Sequence, residues 1–151
     1  MSLALVRNPL RIEPMSEAAI DKARELETEL LKTKQHAIQT EHTFFAGTYT
    51  RTAHIPAGTV VTGALIKIDT VLIVSGHATV YTGDDSIELI GYNVVQASAG
   101  RKQAFVAHAD TALTMIFASQ AETIEQAEAE FTDETHLLLS RNQSGEPLCL
   151  E

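Results

Sequence analysis

Cysteine is nearly absent from the 151-residue chain: Cys149 stands alone, third from the end of the sequence. No intrachain disulfide and no cysteine-rich zinc site can form, which fits a reducing, cytoplasmic setting. Basic residues are also scarce, 11 Lys and Arg against 20 Asp and Glu, giving a formal charge of −9. A partner tracked through phosphates, whether nucleic acid or an anionic membrane surface, requires clustered cations, so neither is expected. Long apolar runs are missing as well. The longest, residues 59–74, is interrupted by Gly63, Lys67 and Asp69 and falls short of the ~20 residues that a membrane helix needs. The first residues lack a basic segment ahead of an apolar one, so no signal peptide is expected, and Met1-Ser2-Leu3 and Glu151 read as possible expression remnants.

What is present is enough for one domain. A chain of this length, 44% hydrophobic, buries roughly 70% of the surface its unfolded form exposes, so a core needs no covalent or metal staple. Residues 1–15, with Pro9 and Pro14, read as an extended arm that packs on something. Ser16 is a helix N-cap, and Ala19, Ala23, Leu26 and Leu30 repeat on one face, predicting an amphipathic helix over 16–36 docked through that stripe. Glu25, Glu27, Glu29, Lys32 and Lys34 read as its solvated side.

Within a β region expected over 37–120, the period becomes two from Thr43 to Ser119, with β-branched residues dominant and Gly or Pro every ~8 to 12 residues. Strands are predicted at 43–50, 51–55, 59–61, 64–68, 71–75, 77–82, 86–90, 93–97, 103–109 and 111–118, with hairpin tips at 82–85 and 109–110. Pro56-Ala57-Gly58 reads as a corner. Beyond it, Thr123 and Gln126 have capping-box spacing and Ile124, Ala127 and Phe131 share a face, so 121–151 is expected to hold a short helix, one further turn and a frayed tail.

The stretch from His42 to Phe117 resembles a cupin, through Gly47-x-Tyr49-x-Arg51-x-x-x-Ile55-Pro56-Ala57-Gly58-Thr59, Thr62-Gly63, Val71-Leu72-Ile73-Val74-Ser75-Gly76 and Ser98-Ala99-Gly100-Arg101-Lys102. The resemblance implies a mainly β fold: a double-stranded β-helix barrel, or RmlC-like jelly roll, with an N-terminal amphipathic helix and a short C-terminal one. It is nearest to short cupin-like proteins of phage and prophage genomes, which would also allow a virion-associated location. Metal-dependent cupins carry a His-x-His pair and a Glu after the first such glycine and a further His in the second motif. Here those stretches read Ala64-Leu65-Ile66-Lys67-Ile68-Asp69-Thr70 and Arg101-Lys102-Gln103-Ala104. Neither Ile nor a protonated Lys can ligate a metal, so neither metal nor other cofactor is expected.

His54, His77 and His108 fall in three different strands, but strand parity aims His77 and His108 to opposite sides, one inward and the other outward, so a three-His site is disfavoured. The remaining candidates are binding residues. Tyr49 and Arg51 share a strand face with Ala53 and Ile55, Lys67 lies in the first motif and Gln103 just after the second turn, with His54 beside them. The bland alternative for the first pair is an Arg at the barrel rim lying over a packed Tyr. A cationic site in an acidic chain would suit a small anionic ligand.

Two functions stay open. One is a metal-free, non-enzymatic binding or structural module of phage or prophage origin, acting as a homodimer or higher oligomer. The other is a metal-independent small-molecule enzyme of the sugar epimerase or isomerase kind, with a divergent metal enzyme third.

Overall fold

The computed structural model describes residues 9–138. The outer part of the arm, the tail beyond 138 and Cys149 lie outside the described residues. Within them the chain is mainly β: β1 (Leu10–Ile12), α1 (Glu17–Leu30), β2 (Gln39–Phe45), β3 (Thr48–Ile55), β4 (Val60–Thr62), β5 (Thr70–Tyr81), β6 (Ser86–Ala97), β7 (Ala104–Ala107), β8 (Thr111–Ala118) and α2 (Ile124–Phe131), then a 3-10 turn at Thr135–Leu137.

The strands form one mixed sheet in the order β1-β6-β5-β8-β3-β2, with β7 and β4 branching from β5. The branch curls the sheet. Val71–Ser75 of β5 pair with β8, whereas Ala78–Tyr81 pair with β7, and the change of neighbour falls at Gly76. A Cβ there would lie 2.6 Å from both the Asp110 carbonyl oxygen and the Thr111 hydroxyl, so only glycine lets β5 pass beneath the β7–β8 turn.

Several predicted boundaries change for physical reasons. The predicted strands 71–75 and 77–82 are one strand, as are 86–90 and 93–97: Gly76 and Gly91 face each other across an unbroken hairpin, where glycine bends a strand without ending it. The predicted break at 50–51 lies instead at Ala46-Gly47, both with positive φ, and alanine there gives little turn signal. Residues 64–68 form no strand; Ile66 makes a single bridge to Arg101. Part of the arm is itself a strand, β1, running parallel to β6 with Ile12 buried.

Ser16 caps α1, its hydroxyl accepting from Ala19 N at 3.1 Å, but the helix stops at Leu30. Its docked stripe is Ala19, Ala23 and Glu27; Leu26, expected to dock, is exposed, and Glu27, expected in solvent, is buried. The small alanines let the helix lie close to the β5–β6 hairpin tip, where a Cβ on Gly83 would come within 2.4 Å of Ala19 Cβ.

The interior has two apolar clusters. One fills the barrel with Ile55, Val61, Leu72, Val74, Phe105 and Leu113. The other, Tyr49, Ile66, Met115, Phe117, Ala127 and Phe131, lies under α2.

Candidate functional site in the barrel interior

A cavity of about 60 Å³ is lined by residues of both clusters, and its polar lining residues are Arg51, Arg101 and Gln103. Arg51 gets there by strand alternation: β3 turns Tyr49, Arg51, Ala53 and Ile55 inward and buries all four. The alternative of an Arg at the barrel rim is therefore corrected, since Arg51 is only 4% exposed. A buried guanidinium needs partners. Its Nη1 donates to Glu128 Oε2 at 3.0 Å and to the Tyr49 hydroxyl at 3.5 Å, and its plane stands 5.5 Å from the Phe131 ring centre. The Tyr49 hydroxyl also meets His42 Nδ1 at 2.6 Å. Burial first, and the Arg51 charge second, hold the His42 imidazole below its ordinary range.

Arg101 enters from the segment between β6 and β7. Nη1 donates to the carbonyls of Ser98 at 2.9 Å and Ala97 at 3.0 Å, and Nη2 to Thr70 Oγ1 at 2.7 Å. All of these acceptors are neutral. Burial accordingly pushes the guanidinium pKa down to about 10 against the opposing pull of Asp69. Gln103 is 4% exposed, and its buried Nε2 has no hydrogen-bond partner.

Lys102, between these two, faces the other way. Its fully buried ammonium donates to Gly63 O at 3.0 Å and Glu134 Oε2 at 3.1 Å, and lies 2.8 Å from Glu27 Oε2 as an ion pair outside hydrogen-bond angles. Glu134 also accepts from Arg24 at 2.5 Å and from Leu65 N at 2.9 Å. Burial pushes the Glu134 carboxyl up, but the Leu65 N–H, Arg24 and Lys102 together outweigh it and hold the carboxyl below its ordinary range. This cluster clasps α1 to the segment after α2.

Of the sequence candidates, Arg51 and Gln103 meet at the cavity and Tyr49 stands behind Arg51. Lys67 does not join them: Ile66 turns inward, so Lys67 points out and donates to Asp133 at 2.7 Å. His54 lies on the outer face of β3, with Nε2 2.8 Å from Glu41 Oε2. The opposed parity expected for His77 and His108 is corrected. His108 follows the end of β7, so strand alternation does not govern it, and both rings lie outside, 4.7 Å apart, with Nε2 of His77 on Glu88 and Nε2 of His108 on Thr79.

Sequence reasoning missed Glu27, Glu128 and Glu134. A signal existed for the first two, because Glu27 continues the Ala19–Ala23 stripe at i+4 and Glu128 adjoins Ala127 on the buried face of α2. An acid on an apolar stripe calls for a buried cation elsewhere.

The residues present do not fit the metal that the resemblance raises. The cavity wall carries two guanidinium groups, an amide, a thioether and hydrocarbon, and buried guanidinium repels a divalent cation. Among the described residues no three His, Cys, Asp or Glu gather as a ligand set. Nor, among them, is any helix long and apolar enough to cross a membrane.

No family model matches the chain, and no curated protein matches it. Solved structures do. A cupin superfamily protein from Desulfitobacterium hafniense aligns over 78% of this chain and all of its own at 15% identity, with TM-score 0.47. A cupin-2 domain protein from Shewanella frigidimarina covers 62% of this chain and 91% of its own at 14% identity and TM-score 0.41. A variant of salicylate 1,2-dioxygenase from Pseudoaminobacter salicylatoxidans matches 74% of this chain but 36% of its own, at 15% identity and TM-score 0.46. None of these supports the expected phage or prophage origin. The chain is, by its own strand order and register, a mainly β protein with a curled mixed sheet and two flanking helices, similar to proteins named as cupins.

Proposed function

We propose that this chain is a metal-independent, cupin-like binding module whose barrel interior takes up a small anionic ligand. The observation that carries this reading is the buried Arg101 guanidinium, whose hydrogen-bond acceptors are all neutral, beside a cavity that Arg51 and Gln103 also line. A buried cation calls for a countercharge, and an anion in the cavity supplies one to Arg101. The sugar epimerase or isomerase alternative needs an acid or base titrating near neutrality against the ligand. No imidazole, carboxylate or phenol lines the cavity among the described residues.

Millimolar small anions should raise the thermal midpoint by mass action, whereas their neutral amides should not. The double variant Arg51→Gln, Glu128→Gln, which removes both charges of the buried pair together, should abolish the rise. No rise with any anion, or a rise that persists in the double variant, contradicts the reading.

The module is further proposed to act as a homodimer or higher oligomer. The outer face of β6 exposes Ile90, Tyr92 and Val94, continued by Val71 on β5, and such a stripe on a sheet favours cover by another chain. Light scattering at micromolar concentration tests this; a mass near 16.4 kDa contradicts it.

A further inference from the structure

Resting on the homo-oligomer reading, we infer that the outer face of β6, β5, β8 and β3 docks on the same face of a second copy of this chain, the two sheets stacked about a two-fold axis that runs along their strands. Pairing of these strands sets three rows of four outward side chains side by side. The middle row is Val94, Ile73, Thr114 and Thr52; the rows flanking it run from Gln96 to Thr50 and from Tyr92 to His54. None of these positions is Asp, Glu, Lys or Arg, in a chain that is 21% charged. The outer face of an antiparallel sheet is ordinarily polar when water covers it, so a face without fixed charge calls for another cover.

Charge selects the occupant. At a net charge of −9, two copies repel each other wherever their carboxylates meet, and on this face they meet none. A basic partner would be drawn instead to an acidic surface. Carboxylates begin only at the rim, with Glu41 on β2 beside Thr52 and Glu88 on β6 two residues before Ile90. An uncharged centre inside a polar rim is the anatomy of a protein interface. Five strands from β6 to β2, over the seven residues from Ile90 to Gln96, span about 550 Å² in projection, and projecting side chains bring this towards the ~800 Å² that each partner of a standard interface gives up.

Relief selects the orientation. Ile90, Tyr92 and Val94 on β6 are 67%, 69% and 51% exposed and form a ridge, whereas Ser75, Ala112, Thr114 and Thr52 are half-buried and form a low shelf beside it. A face raised on one flank and low on the other complements itself when turned over about an axis along its strands. Each β6 ridge then lies on the other copy's β8–β3 shelf, in the aligned packing of stacked sheets, with Val94 over Thr52 of the partner subunit. An axis across the strands would set ridge on ridge and Val94 near its own counterpart.

The test uses the full-length chain carrying Cys149→Ser, which removes the one native thiol. Light scattering at micromolar concentration should give twice the 16.4 kDa chain mass. Tyr92→Glu should raise the dimer dissociation constant by at least about a hundredfold with an unchanged circular dichroism spectrum, as expected when an interface aromatic is replaced by a charge. In one chain Val94 and Thr52 stand three strands apart, about 14 Å, beyond the reach of a disulfide. On oxidation the double variant Thr52→Cys, Val94→Cys should therefore form a covalent dimer, and Val94→Cys alone should not. If Val94→Cys cross-links by itself, or the double variant does not cross-link, the two-fold arrangement is overturned. A dimer that Tyr92→Glu leaves intact overturns this face while the oligomer reading stands. A mass of 16.4 kDa leaves the face to the chain's own arm or to another protein and overturns both.

Discussion

Arg101 and Lys102 are adjacent in sequence, both buried and both cationic, yet they belong to opposite kinds of site. Lys102 points into the clasp under α1, where two carboxylates and a carbonyl surround it. Arg101 points into the barrel, where its guanidinium finds carbonyls and a threonine hydroxyl but no carboxylate, and where the nearby Gln103 amide is unpartnered. Buried charge can be made neutral from within the chain or left for something else to neutralise. The first arrangement holds structure together, and the second is the one proposed above to receive a ligand.

The sharpest way to break this contrast is Lys102→Met. Removing the ammonium leaves the buried Glu27 carboxylate without its counter-ion and takes a second cation from Glu134, so urea unfolding should show a loss of about 3–5 kcal/mol. Glu128→Gln should cost less, about 1.5–3 kcal/mol, because the amide oxygen still accepts from Arg51 while the charge is lost. If small anions enter the cavity as proposed, millimolar anion should restore part of that loss in Glu128→Gln. The clasp should also be acid-sensitive. Glu134 is held below its ordinary value of 4.5, so its contribution is complete above that pH and is lost as pH falls through the lower folded-state value. Glu134→Gln should flatten this acid limb of the stability–pH curve.

Much of the frame was legible in the sequence. Ser16 and Thr123 capped the helices as their side chains predicted, and alternation along β3 turned Tyr49 and Arg51 inward. Period-two patterning failed at Gly76 and Gly91, because a glycine that bends a strand and one that ends it look alike in one sequence. It failed again at Lys67 and His108, which lie outside regular strands. The clasp was the least legible feature. Glu27, Lys102 and Glu134 are far apart in the chain, and only the docking of α1 brings their charges together.

The smallest expected effect bears most directly on the central claim. Gln103→Leu exchanges a buried amide with an unpartnered Nε2 for hydrocarbon of similar volume, so chemical denaturation in ligand-free buffer should show no loss, or a gain of up to about 1 kcal/mol, against the large loss in Lys102→Met. A Gln103→Leu protein destabilised as severely as Lys102→Met would show that the barrel amide, like the clasp lysine, holds the fold, and would contradict the assignment of the interior as a binding site.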